Sequence, residues 1–274
     1  MSALEHSIAS LPAWLVILAI QVLVIAVPAS LAYAGLYMWR GNPARARKVQ
    51  PEFAAPHHVR REVRFALLAA LIFAVNGVLM LVFIYQGWAL VYDRIADYGW
   101  VYWAFSLAAT IVLHDAYFYW THRLLHHRRL FTTLHHLHHE SHSPSPWAAY
   151  AFSPGESVVQ AAFLTLLIFV LPVHLTVVYL FMAHMIIRNV VGHSGFELFP
   201  RFVPGHRLFG HLTTVTHHDM HHSARQPGNY GLYFTWWDRL MGTEHSDYME
   251  TVTRVMATPP AEDAKADTPG GTTV

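Results

Sequence analysis

Several long apolar runs constrain this chain more than any other feature, because each is long enough to cross a lipid bilayer. Residues 11–39 form such a run without a single charged residue, and further runs cover about 64–88 and 99–121. A helical crossing needs roughly 20 apolar residues. The first run is too long for the core of a signal peptide, and no Lys or Arg precedes it. We therefore expect three retained transmembrane helices.

The composition agrees with a membrane protein. Hydrophobic residues make up 54% of the chain and charged residues only 13%, whereas a soluble domain carries roughly 25% charged residues. The formal net charge of +1 gives no reason to expect nucleic-acid binding. Because there is no cysteine, the chain cannot form disulfides or hold zinc or an iron–sulfur cluster through thiolates. Any redox centre must use histidine or carboxylate ligands, and the 22 histidines outnumber the 17 acidic residues.

The apolar run 158–191, interrupted at Pro172, decides the predicted topology. One straight helix of this length would reach about 50 Å, well beyond the roughly 30 Å hydrocarbon core. A single crossing would also separate the histidines before it from those after it. We therefore predict a helical hairpin. The fold class is then an all-α membrane bundle of three spans plus this hairpin, with a histidine-rich helical cap.

Basic residues set the expected orientation. The segment 40–64 and the stretch that follows the third span are rich in Arg, which predicts that both lie in the cytoplasm. The absence of cysteine and of Asn-x-Ser/Thr sites favours a bacterial inner membrane. We expect residues 1–250 to form a single domain and 255–274, rich in Pro, Gly and Thr, to be a disordered tail.

Three histidine-rich blocks flank the predicted hairpin: "HRLLH", "HHLHH" and "HHDMHH". Residues three and four apart share one face of a helix, so each block predicts a set of imidazoles on one side. Imidazole suits iron, zinc, copper or nickel. Eight such ligands exceed the coordination number of one ion, which favours two metals. The predicted ligands are His122, His126, His135, His138, His139, His218, His221 and His222.

Neighbouring residues are assigned other roles. A ligating histidine usually donates its second N–H to a carboxylate or carbonyl, and Asp115, Glu140 and Asp219 are expected to act in this way. The alternative for each is a solvated charge, which is least favourable for Asp115 inside an apolar helix. Whether His114 contacts a metal stays open. Four histidines are expected to face away or lie at the rim: His127, His136, His142 and His217. Four residues after the second block are open to substrate contact, metal contact or ordinary packing: Trp147, Tyr150, Ser153 and Glu156.

The segments "HDAYFYWTHRLLHH", "LHHLHHESHSP", "GHSG", "HHDMHH" and "NYG…WWDRLMGT" resemble the fatty acid hydroxylase/sterol desaturase superfamily of integral-membrane di-iron oxygenases. The resemblance runs from about 114 to 243. It adds His193 to the ligands and places Asn189 where some members carry a further histidine, so Asn189 is expected beside the ligands and its contact with a metal stays open. It implies structural roles for the terminal signature, with Asn229 and Asp238 as hydrogen-bonding anchors and Trp236 and Trp237 in packing.

The resemblance also implies a function: O₂-dependent hydroxylation or desaturation of a C–H bond in a fatty acyl, sterol or ether lipid. The cofactors would be two iron ions, with zinc as a substitute in purified protein, and no catalytic group beyond the metal centre is expected. Electrons would come from a separate ferredoxin-type or cytochrome-type donor with its reductase. The residues leave two rivals open, a metal-transporting or metal-buffering membrane protein and a metal-dependent membrane hydrolase.

Overall fold

The computed structural model of the chain describes residues 12–223 and 227–257. Within these residues helices dominate, and a single pair of two-residue strands is present. The α-helices are α1 (Ala13–Tyr33), α2 (Pro56–Tyr85), α3 (Gly99–Leu125), α4 (His136–His139), α5 (Pro154–Val170), α6 (Leu175–Gly192), α7 (Val215–Ser223), α8 (Trp236–Met241) and α9 (Tyr248–Ala257). The strands are β1 (Val91–Tyr92) and β2 (Val173–His174).

Four helices are long and apolar enough to cross a bilayer, and a shorter apolar helix accompanies them. The four are α1 with the π-helical turn that extends it to Met38, α2, α3 and α6, while α5 is the shorter one. The three predicted spans are confirmed, although α2 begins at Pro56 and α3 continues to Leu125. Proline at the first position of α2 fits a helix start, because the backbone N–H that proline lacks would have no hydrogen-bond partner at that position.

The predicted hairpin is confirmed. The helices α5 and α6 are joined by residues 171–174, which contain Pro172 and β2. Strand β2 pairs in parallel with β1, which lies in the loop between α2 and α3. The turn of the hairpin and the α2–α3 loop are therefore at the same end of the bundle. Since α5 and α6 both run between that end and the opposite one, the histidines that flank the hairpin lie together at the opposite end.

Small side chains allow α1 and α2 to approach closely. Ala66, Ala69 and Ala70 of α2 are fully buried and pack in a cluster with Ile25 of α1. In a bilayer the gain from helix association comes mainly from close packing, which small residues favour. Large apolar side chains such as Phe105 instead point outward, which suits a surface that faces lipid. Small residues thus line the α1–α2 contact, whereas larger buried side chains such as Phe163 and Phe181 pack between α5 and α6.

The basic segment after α1 covers the histidine end of the bundle. Lys48 forms an antiparallel bridge with Phe196, and the Gln50 amide donates to Asp219 over 2.8 Å. The basic segment and the histidine blocks are therefore on one face. The predicted tail at 255–274 differs at its start, because Val255 and Met256 are buried in α9. Residues 258–274 of that tail lie outside the described residues.

Candidate metal centre

Nine buried or half-buried histidines form two adjacent clusters at one end of the bundle. Within each cluster the possible ligand atoms lie within 4.8 Å of one another. Cluster one contains His122, His126, His135, His139 and His221, and cluster two contains His138, His193, His218 and His222. These are the nine histidines that the sequence and the resemblance single out. The structure brings all of them together, and the clusters meet where the rings of His139 and His222 stack at 4.9 Å.

Each HxxHH block is divided between the two clusters rather than pointing to one of them. On α7, His221 belongs to cluster one, while its neighbour His222 belongs to cluster two. Consecutive helical residues differ in direction by about 100°, so adjacent histidines reach different centres. The second block is not one regular helix: the π-helical turn Phe131–His135 leads into the single turn of α4. This bend separates His135 from His138, which belong to clusters one and two respectively.

Backbone carbonyl groups orient three of the histidines. The Nδ1 atoms of His122, His193 and His221 lie 2.9, 2.9 and 2.6 Å from the carbonyl oxygens of Tyr230, Asn189 and Gly228. A carbonyl oxygen only accepts hydrogen bonds, so Nδ1 carries the proton in each ring. The Nε2 atom of each neutral ring is then a bare acceptor that faces the cluster. This arrangement of an outer N–H donor and an inner lone pair is the usual one for a ligating histidine.

Glu156 orients a fourth histidine, and its role could not be assigned from the sequence. Its Oε1 atom lies 2.8 Å from Nδ1 of His135, and both side chains are 1% exposed. Ser153 caps α5 by accepting from the Glu156 N–H, and its hydroxyl donates to the Leu134 carbonyl. The sequence Ser-x-x-Glu at the start of an apolar run is a helix-start signal. That signal places Glu156 in the first turn of α5 rather than in a loop.

The inward nitrogens are arranged as ligands of a shared cation would be. Nε2 of His193 lies 2.9 Å from Nε2 of His218 and 3.3 Å from Nε2 of His138. A single lone pair on His193 cannot accept from both rings, and the outer Nδ1 atoms of His138 and His218 are buried without partners. Two nitrogens that share an ion at about 2.1 Å are roughly 3.0–3.4 Å apart. The donor set therefore fits a metal ion.

Burial keeps these rings in the form that binds metals. Desolvation lowers the pKa of His193 to about 4 and that of His126 to about 2. It also lowers the pKa of His221 and His222 well below the usual value. Only a neutral imidazole offers a lone pair to a metal ion. At pH 7 the clusters consequently present neutral donors, with no proton to displace from the inner nitrogens of the oriented rings.

The acidic residues expected beside the ligands contact other groups instead. Asp115 is fully buried and accepts from the Tyr233 and Phe234 N–H groups and from Trp236 Nε1, the last over 2.7 Å. It thereby anchors the segment whose Tyr230 carbonyl orients His122. The other two acidic residues contact side chains outside the clusters. Glu140 forms an ion pair with Arg61, and Asp219 accepts a hydrogen bond from Gln50.

The remaining assigned residues have structural contacts. The Asn189 side chain donates to the Ala149 carbonyl, so it contributes to the site through its backbone oxygen. His114 lies outside both clusters, with Nδ1 2.9 Å from the Tyr233 hydroxyl. His127, His136 and His142 are exposed as expected, whereas His217 is fully buried, 3.6 Å from Asp238. The sequence could not distinguish a buried histidine that packs against Tyr248 from one at the rim.

The predicted anchors of the terminal signature are confirmed. Asn229 donates to the His217 carbonyl and accepts from the His245 N–H. It adopts a φ of 53°, a left-handed conformation that asparagine tolerates better than most residues. Asp238 accepts from the N–H groups of Tyr230 and Gly231. These bonds hold the segment that places two orienting carbonyl groups, those of residues 228 and 230, beside cluster one.

An apolar cavity of about 380 Å³ lies among the membrane helices. Its walls include Leu175 and Asn189 of α6, which a helical rise of ~1.5 Å per residue places about 21 Å apart. At the end near the clusters, the ring of Phe118 lies 4.9 Å from that of His122, and the ring of Phe152 lies 5.3 Å from that of His138. The cavity therefore ends one aromatic side chain away from each cluster.

Together, the fold and the site define a multi-pass helical membrane protein with a paired histidine centre above an apolar cavity. A family model described as "Fatty acid hydroxylase" matches residues 107–243, which is half of the chain and includes all nine clustered histidines. The chain belongs to this family. No solved structure matches it.

Several characterised proteins are similar to this chain. It is 32% identical over 165 residues to Delta(7)-sterol 5(6)-desaturase ERG3B of Gibberella zeae, covering 60% of this chain and 49% of that protein. It is 31% identical over 200 residues to lathosterol oxidase of Rattus norvegicus, covering 70% and 63%. Methylsterol monooxygenase 1 of the same organism is 32% identical over 148 residues, covering 52% and 48%. The chain thus spans about half to two thirds of the length of these relatives.

Proposed function

We propose that this protein is an O₂-dependent di-iron oxidoreductase that hydroxylates or desaturates a C–H bond of a membrane lipid. The observation that carries the proposal is the pair of buried histidine clusters at the end of an apolar cavity within the membrane bundle. Membership of the fatty acid hydroxylase family and similarity to sterol-oxidising relatives support it.

One metal ion is proposed for each cluster. Cluster one offers five imidazoles and cluster two offers four, with neither thiolate nor carboxylate among them. Imidazole suits iron well, and zinc would bind the same donors. Two iron ions would supply the capacity to reduce O₂ and oxidise an unactivated C–H bond. No acid–base group beyond the centre is assigned a catalytic role.

The chain itself would position the ions and exclude water. Glu156 and three carbonyl groups fix the ring orientations of four ligands. Because eight of the nine histidines are buried, metal ions held there would be shielded from solvent. Phe118 and Phe152 form the boundary between the clusters and the cavity, so these two rings would guide the lipid chain toward the centre.

The proposed substrate is a membrane lipid held in the cavity, and a sterol is the first class to test. This choice rests on the names of the relatives, which describe sterol desaturation and methylsterol oxidation. A cavity whose walls extend about 21 Å along α6 is long enough for an extended lipid. Exposed apolar residues such as Ile20 and Tyr179 belong to its walls, which gives lipid access from the bilayer.

A separate electron donor is proposed to dock beside His126, the one clustered histidine that is partly exposed. Arg128 and Arg129 follow it in the chain and are exposed, and residues 116–139 contain neither Asp nor Glu. A positive surface favours an acidic partner such as a ferredoxin-type or cytochrome-type protein. With the positive-inside rule, this surface is assigned to the cytoplasm, and a bacterial inner membrane is the proposed location. Residues 1–250 are treated as one domain.

Oxygen uptake coupled to lipid oxidation tests the proposal. The full chain, loaded with Fe²⁺ in bilayer nanodiscs, is supplied with a chemical reductant and a sterol mixture, and products are identified by mass spectrometry. We expect a gain of one oxygen or a loss of two hydrogens, abolished in His138→Ala and His221→Ala. His136→Ala, an exposed histidine of the same block, serves as the matched control. Metal flux across vesicles without oxygen uptake would instead support a transporter.

A further inference from the structure

The cavity carries a polar group that the protein does not satisfy. Gln160 of α5 lines the cavity, and its Nε2 atom is buried without a hydrogen-bond partner among the described residues. Asn76 also lines the cavity, but its amide donates to the Ala161 carbonyl and accepts from the Thr165 hydroxyl. A buried amide left unpaired is costly in an apolar site. Gln160 therefore differs from Asn76 in lacking a protein partner.

Gln160 lies on the side of the cavity that is close to the metal centre. It comes four residues, one helical turn, after Glu156, whose carboxylate contacts His135. Residues four apart lie on the same face of a helix, about 6 Å apart along the axis. The unpaired amide is thus one turn from a group that touches cluster one.

A second polar group lines the same cavity. His114 is 3% exposed and comes eight residues, about two turns, before His122 on α3. Its ring is held between Phe163 and Phe181, with centroid distances of 4.6 and 5.1 Å. Among the described side chains, only the Tyr233 hydroxyl hydrogen-bonds this ring, through Nδ1. The other nitrogen is available to a molecule in the cavity.

The cavity lining also limits the charge of its occupant. In the described part of the chain, no Asp, Glu, Lys or Arg lines it. A carboxylate or phosphate group inside would be desolvated without a counter-charge, which is strongly unfavourable. A neutral oxygen would meet the Gln160 amide without that penalty.

We propose that Gln160 and His114 bind a neutral oxygen function of the substrate, a hydroxyl or carbonyl group, in the part of the cavity that lies between one and two helical turns from the metal centre. The substrate is then a lipid alcohol or its carbonyl analogue, and the oxidised carbon lies near that oxygen rather than at the far end of the hydrocarbon. The inference rests on the proposed function and specifies its substrate class.

A competition assay tests this site without requiring turnover. Purified full-length protein in detergent binds tritiated cholestanol, and unlabelled cholestanol or cholestane competes; hexadecan-1-ol and hexadecane form a second pair. One hydrogen bond in an apolar site predicts about a tenfold preference for the alcohol in at least one pair. Gln160→Met should remove most of this preference. Leu164→Met, one turn further along the same cavity wall, should keep it.

Two results would overturn the inference. The first is equal competition by alcohol and hydrocarbon in both pairs for the unmodified protein, which does not depend on any variant folding. The second is a Gln160→Met protein that keeps the full preference. Oxygen uptake measured on the same preparations separates the two proposals. Alcohol preference without oxygen uptake contradicts the oxidoreductase, whereas lipid oxidation without alcohol preference contradicts only this site.

Discussion

Glu156 offers the sharpest test of how the centre is built, because the structure and the sequence assign the orienting carboxylate differently. Its carboxylate lies 2.8 Å from Nδ1 of His135, whereas Asp115 bonds to the 233–236 segment and to no clustered histidine. Loss of an outer hydrogen-bond partner typically lowers metal affinity by about 10–100-fold. We expect about tenfold for Glu156→Gln, which retains an acceptor, and about a hundredfold for Glu156→Ala.

Asp115→Asn is the matched comparison. Asparagine keeps one acceptor oxygen but loses the negative charge of the carboxylate, which accepts hydrogen bonds from two backbone N–H groups and from the Trp236 indole. Hydrogen bonds to charged groups contribute about 1.5–3 kcal/mol each. This variant should therefore lower the unfolding temperature and leave the metal affinity of the folded protein within about threefold of the original.

Both quantities are measurable on the same preparations. Chelator-buffered Fe²⁺ titrations give the metal affinity, and thermal unfolding of the metal-free protein gives the stability. Ser153→Ala, which removes the cap of α5 but leaves the carboxylate, controls for loss of helix order. An unchanged metal affinity in Glu156→Ala would refute the assignment of Glu156 as the orienting group.

Three further expectations follow from the packing of the site and the bundle. His193→Ala, at the meeting point of three cluster-two nitrogens, should reduce bound iron from the proposed two ions to about one per chain by metal analysis, while exposed His127→Ala should retain both. Ala161→Phe, on the cavity wall, should lower kcat/KM for lipid roughly tenfold or more with unchanged iron content. Ala162→Phe, at the neighbouring position outside the cavity wall, is the control. A normal rate in Ala161→Phe would exclude this cavity as the substrate site. Ala69→Leu, at a fully buried position of the cluster that includes Ile25 of α1, should lower the free energy of unfolding by about 1–3 kcal/mol through overpacking, and an unchanged unfolding midpoint in denaturant would contradict close packing in this cluster.

The sequence alone determined the bundle and the identity of the nine clustered histidines. Apolar runs of bilayer length can only be helical, because a bilayer offers no partners for exposed backbone groups. The 158–191 run had to double back, since helix length and histidine placement conflict with one crossing. The i, i+3 and i+4 spacing selected eight of these nine positions, because periodicity is a local property that the chain expresses directly, and the resemblance to the family added His193.

The tertiary structure decided which histidines belong together and what orients them. Sequence spacing could not divide His135 from His138, because that division depends on a π-helical turn and on where α7 lies opposite it. Sequence spacing also could not identify Glu156 rather than Asp115 as the orienting carboxylate, since Glu156 lies on another helix, 21 residues after His135 in the chain. The unpaired amide of Gln160 could also be recognised only from the structure, because it depends on which residues line the cavity. The grouping of the histidines, the orientation of their rings and the shape of the cavity all depend on contacts between residues far apart in the chain. Such contacts leave no periodic signal in the sequence.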